Sequence, residues 1–156
     1  PRVTFKSPID RAPDARQPAV PSVHPEITGV PGGIPVRWEA AAAPLRGKRL
    51  IAHHNSWIYL TTWLGMEGVA TLEPVAGLPP TAAHLSRLTN RFAGRGADAI
   101  VRSPYQDAKA SEWLSERTGV PAVELPLTVG GTDGATDLFT MFDDIITRLL
   151  GALDNV

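Results

Sequence analysis

The sequence predicts an α/β protein, a four-stranded parallel sheet with helices on both faces. Beyond residue 47, short apolar segments alternate with segments whose apolar residues recur at helical spacing. This alternation is typical of parallel strands joined by crossover helices. Prolines concentrate before this region. We therefore predict an extended arm or linker over residues 1–36 and the α/β domain over residues 37–156.

Composition restricts the class of protein. The chain has 156 residues, and the 43% that are hydrophobic suffice for the core of one domain. Its 15 basic and 16 acidic residues give a net charge of -1, which argues against a nucleic-acid partner. Cysteine is absent, which excludes disulfides, thiolate nucleophiles and Cys-based metal centres. No apolar run approaches the ~18 residues of a membrane span.

The arm is defined by its prolines, which block helices and central strands. Nine of the 15 prolines precede residue 45: Pro1, Pro8, Pro13, Pro18, Pro21, Pro25, Pro31, Pro35 and Pro44. A short β-pairing is expected only around residues 3–5. Since the chain starts at Pro1 with neither an initiator Met nor a signal peptide, we expect a processed product or a fragment.

The elements of the domain follow from periodicity and from capping residues. The predicted strands are short apolar runs at residues 48–53, 69–72, 98–101 and 122–125. The predicted helices carry an apolar face at residues 38–43, 58–64, 82–92, 108–118 and 138–153. Several residues mark helix ends: Pro44, Gly65, Gly94 and Gly119 as stops, and Asn55 or Ser56, Thr81 and Asp107 as N-caps.

Adjacent histidines follow the first predicted strand, at the edge where ligands of open parallel sheets lie. His53 and His54 precede a helix start, whose dipole disfavours a charged imidazole, and neutral imidazole is the form that binds a divalent metal. We expect one of the pair to face the packed helices and the other to face the cleft. The plainer alternative is that both are polar residues bonded to backbone at a strand end.

Other polar residues follow the later strands. Glu73 lies in a loop fixed by proline and glycine, where it is either an oxygen ligand, a base or a solvated carboxylate. His84 lies in the first turn of the next helix, where a loop-bracing role is the alternative to metal binding. The glycine-rich residues 129–134 follow the last strand and lack a Lys-Ser/Thr ending, which argues against nucleotide binding.

Several fragments, in order, resemble one family. Residues 54–57 are similar to an H-x-S-W segment, and residues 104–107 match an E-P-Y-x-D segment in which Ser103 replaces the Glu. Further matches are residues 44–49, the E-P-x-x-G-x-P-P-S-like loop at 73–81, residues 129–131 and the last helix. Together they make residues 38–153 resemble the C-terminal lobe of the zinc/manganese solute-binding proteins of ABC transporters.

The resemblance implies a periplasmic or lipid-anchored receptor that binds a divalent metal between two lobes and passes it to the membrane permease of an ABC importer. It implies that His54 is the main metal ligand of this lobe. Imidazole favours Zn2+, with Mn2+ as the alternative. Members often add a carboxylate from the loop after the last strand, where this chain has only Asp133 nearby. Asp133, His84 and Glu73 are therefore the weaker candidate ligands.

The front of the chain departs from the family, which has a whole N-terminal lobe with two more histidine ligands. One histidine cannot enclose a zinc ion, so we expect a missing N-terminal lobe or self-association to complete the site. One alternative is a structural or interaction module derived from that lobe that binds no metal. Another is a small hydrolase or transferase using His54 or His84 as base, with Glu73 or Asp133 as partner. A binding protein rather than an enzyme is our expectation.

Overall fold

The computed structural model describes residues 33–94 and 96–154, and within them helices and strands alternate along the chain. The helices are α1 (Gly33–Ala41), α2 (Ile58–Leu64), α3 (Ala82–Phe92), α4 (Lys109–Thr118) and α5 (Leu138–Asp154). The strands are β1 (Arg49–Ala52), β2 (Glu67–Thr71), β3 (Ala99–Arg102) and β4 (Ala122–Glu124). A short 3-10 helix, Ala43–Leu45, leads into β1.

All four strands are parallel, in the order β2-β1-β3-β4. Leu50 of β1 lies between Gly68 of β2 and Ala99 of β3, and Val101 of β3 lies opposite Val123 of β4. The chain thus leaves β1 toward β2 and returns to the other side of β1 as β3. This arrangement places a topological switch point between the carboxyl ends of β1 and β3.

Helices cover both faces of the sheet, which confirms the predicted fold class. Alternate strand residues point to opposite faces: Leu50 and Val101 pack with α1, α2 and α5, whereas Ile51 and Ile100 pack with α3 and α4. These four side chains are at most 1% exposed. The core therefore consists of two apolar layers separated by the sheet.

Local chemistry accounts for most helix ends. The hydroxyl of Thr81 accepts a hydrogen bond from the His84 N–H, which caps α3 as predicted. Gly65 and Gly119 end α2 and α4 in the left-handed conformation. Asp137 and Thr140 form a reciprocal capping box before α5, since each side chain accepts from the other's N–H.

Several boundaries differ from the prediction, and two of the differences concern helix starts. The predicted cap of α2 at Asn55 or Ser56 is wrong, because the N-cap is Trp57 and no side chain caps it. Helix α1 begins at Gly33, before the predicted start, because Pro35 lies in the first turn, where a missing N–H costs little. Residues 1–32, with the predicted β-pairing at 3–5, lie outside the described residues. Among the described helices, none is long and apolar enough to cross a membrane.

Candidate metal centre

The candidate site begins where β1 ends. The His53 N–H donates to the Val101 carbonyl, and the His53 carbonyl accepts from the Glu73 N–H. The backbone of His53 is therefore tied to both neighbouring strands. The next residue, His54, leaves the sheet with its side chain 36% exposed. This separation of the two histidines agrees with the expected division between packed face and cleft.

His54 is oriented by a carboxylate. Its Nδ1 lies 2.7 Å from Oε2 of Glu73. An ionised carboxylate only accepts hydrogen bonds, so Nδ1 carries a proton, and in the neutral ring Nε2 keeps its lone pair. A histidine whose second nitrogen donates to a carboxylate is the usual arrangement of a metal ligand.

Glu73 is itself held in place by its loop. The same Oε2 atom accepts from the Gly77 N–H at 2.8 Å, and Gly77 adopts φ +83°, which favours glycine. Partial burial raises the pKa of Glu73, but the hydrogen bonds from His54 and Gly77 outweigh it and bring the net pKa below the ordinary value. The carboxylate is therefore charged at neutral pH and acts here as the partner that orients His54.

His53 has a different environment. Its side chain is buried, and its Nδ1 has no hydrogen-bond partner in the part of the chain that the structure describes. Burial lowers the pKa of His53, with the charge of Arg102 adding to the effect and that of Glu73 opposing it. The ring is therefore neutral at pH 7 and lies on the α3–α4 side of the sheet edge, where it lines a cavity with Leu85 and Ala110.

His84 supports the loop from the other side. Its Nε2 donates to the Thr71 carbonyl at 2.8 Å, and its Nδ1 accepts from the Arg87 guanidinium at 3.4 Å. Both ring nitrogens are thus engaged by the protein. This geometry matches the loop-bracing role more closely than that of a metal ligand.

Asp133 lies exposed in the loop between β4 and α5. The carboxylate that organises this loop is Asp144, which accepts from Thr132 and pairs with Arg148. Within residues 33–94 and 96–154, no three His, Asp or Glu side chains come together in a group that could hold a metal ion. The described part of the chain therefore offers one oriented histidine rather than a closed metal site.

The contact between His54 and Glu73 was not predicted from the sequence, although both residues were. A signal for it exists in the loop composition, because Pro74 and Gly77 force the chain to turn back directly after Glu73. The buried hydroxyl of Ser103, which has no hydrogen-bond partner, was likewise not foreseen.

A family model described as zinc-uptake complex component A, periplasmic, matches residues 35–152. The chain belongs to this family. The match covers α1 to α5 and includes both His54 and Glu73, and it confirms the resemblance found in the sequence. No curated protein sequence matches the chain significantly.

Solved structures of solute-binding proteins share the fold. The SBP FpvC from Pseudomonas aeruginosa, in complex with Mn2+, is 18% identical over 78% of this chain and 48% of its own, with a TM-score of 0.55. A ZnuA crystal structure is 19% identical over 76% of this chain and 42% of its own, with a TM-score of 0.60. An Mn-bound mutant of a periplasmic metal binding protein from Candidatus Liberibacter asiaticus is 8% identical over 78% and 47%, with a TM-score of 0.60. The chain spans less than half the length of these proteins.

Zinc-uptake component A proteins are solute-binding proteins and not a class of enzyme. The His54–Glu73 pair does have the geometry of a base and its orienting carboxylate, as the hydrolase alternative requires. Among the described residues, however, no hydroxyl hydrogen-bonds to His54 Nε2 to serve as a nucleophile. The family consists of binding proteins, and the geometry of His54 and Glu73 is also compatible with binding a ligand.

Proposed function

We propose that this chain is the metal-binding lobe of a zinc receptor that serves an ABC importer in the periplasm. The observation that carries this proposal is the His54–Glu73 hydrogen bond of 2.7 Å, which uses Nδ1 and leaves Nε2 without a partner among the described residues. An imidazole ligand supports Zn2+ over Mn2+, which prefers oxygen ligands. Family membership and the metal-bound relatives of the same fold support the role.

The mechanism is capture of the cargo ion between this lobe and a second one. Glu73 fixes the tautomer and direction of the His54 ring, so that Nε2 meets the ion without reorientation. Zinc takes four ligands, and the described residues supply one well-oriented nitrogen. We infer that the remaining ligands come from a partner lobe or a second copy of the chain.

An exposed apolar surface supports such a partner. Ile58 and Tyr59 of α2 and Leu138 and Phe139 of α5 are between 45% and 88% exposed. Exposed apolar surface of this kind marks interaction sites in soluble proteins. It supports docking of a second lobe or self-association. Measuring the size of the protein at increasing concentration distinguishes the two.

The deciding experiment is a calorimetric zinc titration of the chain and of its longest native form. We expect His54→Ala to abolish zinc binding, because it removes the ligand. His84→Ala is the matched control and leaves the affinity unchanged, because both nitrogens of His84 are engaged by the protein. Asp133→Asn tests the third candidate in the same way. Unchanged zinc affinity in His54→Ala refutes the assignment.

The chain alone should bind zinc no more tightly than about micromolar, or about -8 kcal/mol. Each missing ligand removes coordination energy as well as geometry. Binding should weaken in acid, because a protonated imidazole cannot ligate. Competition with a zinc-chelating dye measures both effects. Nanomolar 1:1 affinity in a monomer would mean that further ligands exist, with His24 the first to test.

The second candidate function is a structural or interaction module that binds no metal. The absence of a three-ligand group among the described residues favours it. It predicts no zinc binding by the chain or by its longest native form, together with a stable complex through the apolar surface. Zinc binding that depends on His54 rules it out.

A further inference from the structure

The loop that carries Glu73 contains a tight turn. The Leu78 N–H donates to the Val75 carbonyl at 3.0 Å, and Gly77, the third of the four turn residues, adopts φ +83°. These are the features of a type II β-turn, whose third residue needs a positive φ and is usually glycine. A type I turn requires a negative φ at the same place. The type of turn therefore depends on the residue at position 77.

Packing does not impose this turn on the chain. Residues 75–78 are all exposed, including the apolar side chains of Val75 and Leu78. A Cβ atom added at Gly77 would meet open space. The backbone preference of residue 77, rather than contact with the rest of the protein, therefore decides which turn forms.

The type of turn determines which backbone group faces Glu73. Types I and II differ by roughly half a rotation of the peptide between the two central residues, here Ala76 and Gly77. In the observed turn this peptide directs its N–H at Glu73 Oε2, 2.8 Å away. In a type I turn the same N–H would point away, and the Ala76 carbonyl would turn toward the carboxylate. Two acceptors would then face each other where a hydrogen bond now lies.

The backbone of Glu73 is already fixed at the sheet edge. Its N–H donates to the His53 carbonyl at 3.2 Å, and its carbonyl accepts from the Thr71 hydroxyl at 2.8 Å. The direction of the carboxylate is what remains to be set. Two donors meet at its Oε2, the Gly77 N–H and His54 Nδ1. The Gly77 N–H therefore helps to hold the acceptor that orients the His54 ring.

We propose that Gly77 is a positioning residue for the metal ligand and acts through Glu73. The assignment rests on the proposed role of His54 in zinc binding. Gly77 selects the type II turn, and this turn aims a backbone donor at Glu73 Oε2. Glu73 in turn keeps the proton of His54 on Nδ1, which leaves Nε2 as the nitrogen that ligates. Gly77 itself makes no contact with the ion.

The first test reads the His54 tautomer in the absence of metal. Long-range 1H–15N NMR spectra of the full chain with EDTA, at about pH 8 where imidazoles are neutral, show which ring nitrogen carries the proton. We expect Nδ1–H in the parent. In Gly77→Ala, part of the population should shift to Nε2–H, toward the value found in Glu73→Ala. Gly77→Asn should stay close to the parent, because asparagine tolerates a positive φ.

Gly119→Ala is the matched control for backbone strain. Gly119 ends α4 with φ +73°, and a Cβ atom added there also meets open space. Gly119→Ala therefore imposes the same kind of strain as Gly77→Ala, but in the segment that leads into β4. Both variants should lower the unfolding midpoint in urea. Only Gly77→Ala should change the His54 tautomer or the zinc affinity.

The second test is a double-mutant cycle measured by zinc calorimetry. Gly77→Ala should weaken zinc binding about three- to tenfold, the contribution of one hydrogen bond. In the Glu73→Ala background the same substitution should have no further effect, because the carboxylate through which Gly77 acts is gone. A merely structural role for Gly77 would weaken binding equally in both backgrounds.

Three outcomes overturn the proposal: a parent spectrum without Nδ1–H, a parent-like tautomer in Gly77→Ala, or an undiminished effect of Gly77→Ala in the Glu73→Ala background. The NMR and calorimetric results separate this proposal from the zinc function itself. Expected tautomer shifts in a parent that binds no zinc would refute the zinc function, while they would confirm that Gly77 orients His54 through Glu73.

Discussion

The body of the sheet is apolar on both faces, whereas its carboxyl edge contains buried polar atoms. In the body, Ile51, Ile100 and Val101 are fully buried among apolar side chains on both faces. At the edge, three buried atoms have no hydrogen-bond partner within residues 33–94 and 96–154: His53 Nδ1, Trp57 Nε1 and Ser103 Oγ. All three follow β1 or β3, where the switch point lies. The body supplies apolar burial, and the edge retains three buried polar atoms whose hydrogen-bonding capacity is unused among the described residues.

The strongest test of this contrast is the truncation of a side chain in the apolar core that packs on the body of the sheet. Phe92 is 1% exposed and packs in the α3–α4 layer. Phe92→Ala should reduce the free energy of unfolding by about 3–5 kcal/mol, because it leaves a cavity. Tyr59→Ala, at a side chain that is 88% exposed, is the aromatic control and should change it by less than about 0.5 kcal/mol. Urea unfolding measures both, and equal losses would contradict the burial pattern.

At the edge, removal of an orienting group should affect binding rather than folding. Glu73→Ala frees the His54 ring and should weaken zinc binding about 10–100-fold. Glu73→Gln keeps an acceptor for Nδ1 and should lose less. Calorimetry on these two variants, with the unfolding midpoint of each as a control for folding, checks the expectation. Parent-like zinc affinity in Glu73→Ala would show that Glu73 does not act through His54.

A smaller effect, of opposite sign, is expected at Ser103. Its hydroxyl is fully buried without a partner, so Ser103→Ala should raise the free energy of unfolding by about 1 kcal/mol. Ser111 is equally buried, but its hydroxyl donates to the Ala108 carbonyl. Ser111→Ala should therefore lower the free energy of unfolding by about 1 kcal/mol. Chemical denaturation of the two variants measures the difference in the free energy of unfolding. A decrease in both variants would show that the Ser103 hydroxyl is hydrogen-bonded in the folded protein.

The smallest effect concerns the capping box of α5. Hydrogen bonds from Thr140 lower the pKa of Asp137, so its ionised form stabilises the folded state. That stabilisation is present above the ordinary Asp pKa of about 3.9 and is lost as the pH falls through the lower folded value. Asp137→Ala should therefore lower Tm at about pH 7, by an amount that shrinks as the pH falls below about 3.9. Thermal melts above and below that value test this, and a pH-independent difference would contradict it.

Most of the fold could be predicted because local patterns and tertiary packing agree. The apolar periodicity of residues 138–153 predicts α5, and Gly65 and Gly119 mark helix ends that the structure confirms. The start of helix α2 could not be predicted from local sequence patterns. Its cap was predicted at Asn55 or Ser56, but the N-cap is Trp57, a core residue that is 4% exposed.

The site was predictable residue by residue but not as a geometry. The H-x-S-W resemblance singled out His54, and Glu73 was a weak candidate ligand. Their contact depends on strand order and on the turn at Gly77, neither of which a spacing of 19 residues reveals. The burial of His53 depends likewise on packing by α3 and α4, which come later in the chain.

The sheet order also has a consequence for the sequence of events in folding. Only 19 residues separate His54 from Glu73, whereas 49 separate Arg49 from Asp98, whose carboxylate accepts the Arg49 N–H beside β3. Shorter loops lose less chain entropy on closure. We therefore expect the β1–α2–β2 unit to assemble before β3 joins it. The histidine and its orienting carboxylate would then meet early, while the cavity beside His53, which needs α4, would form last.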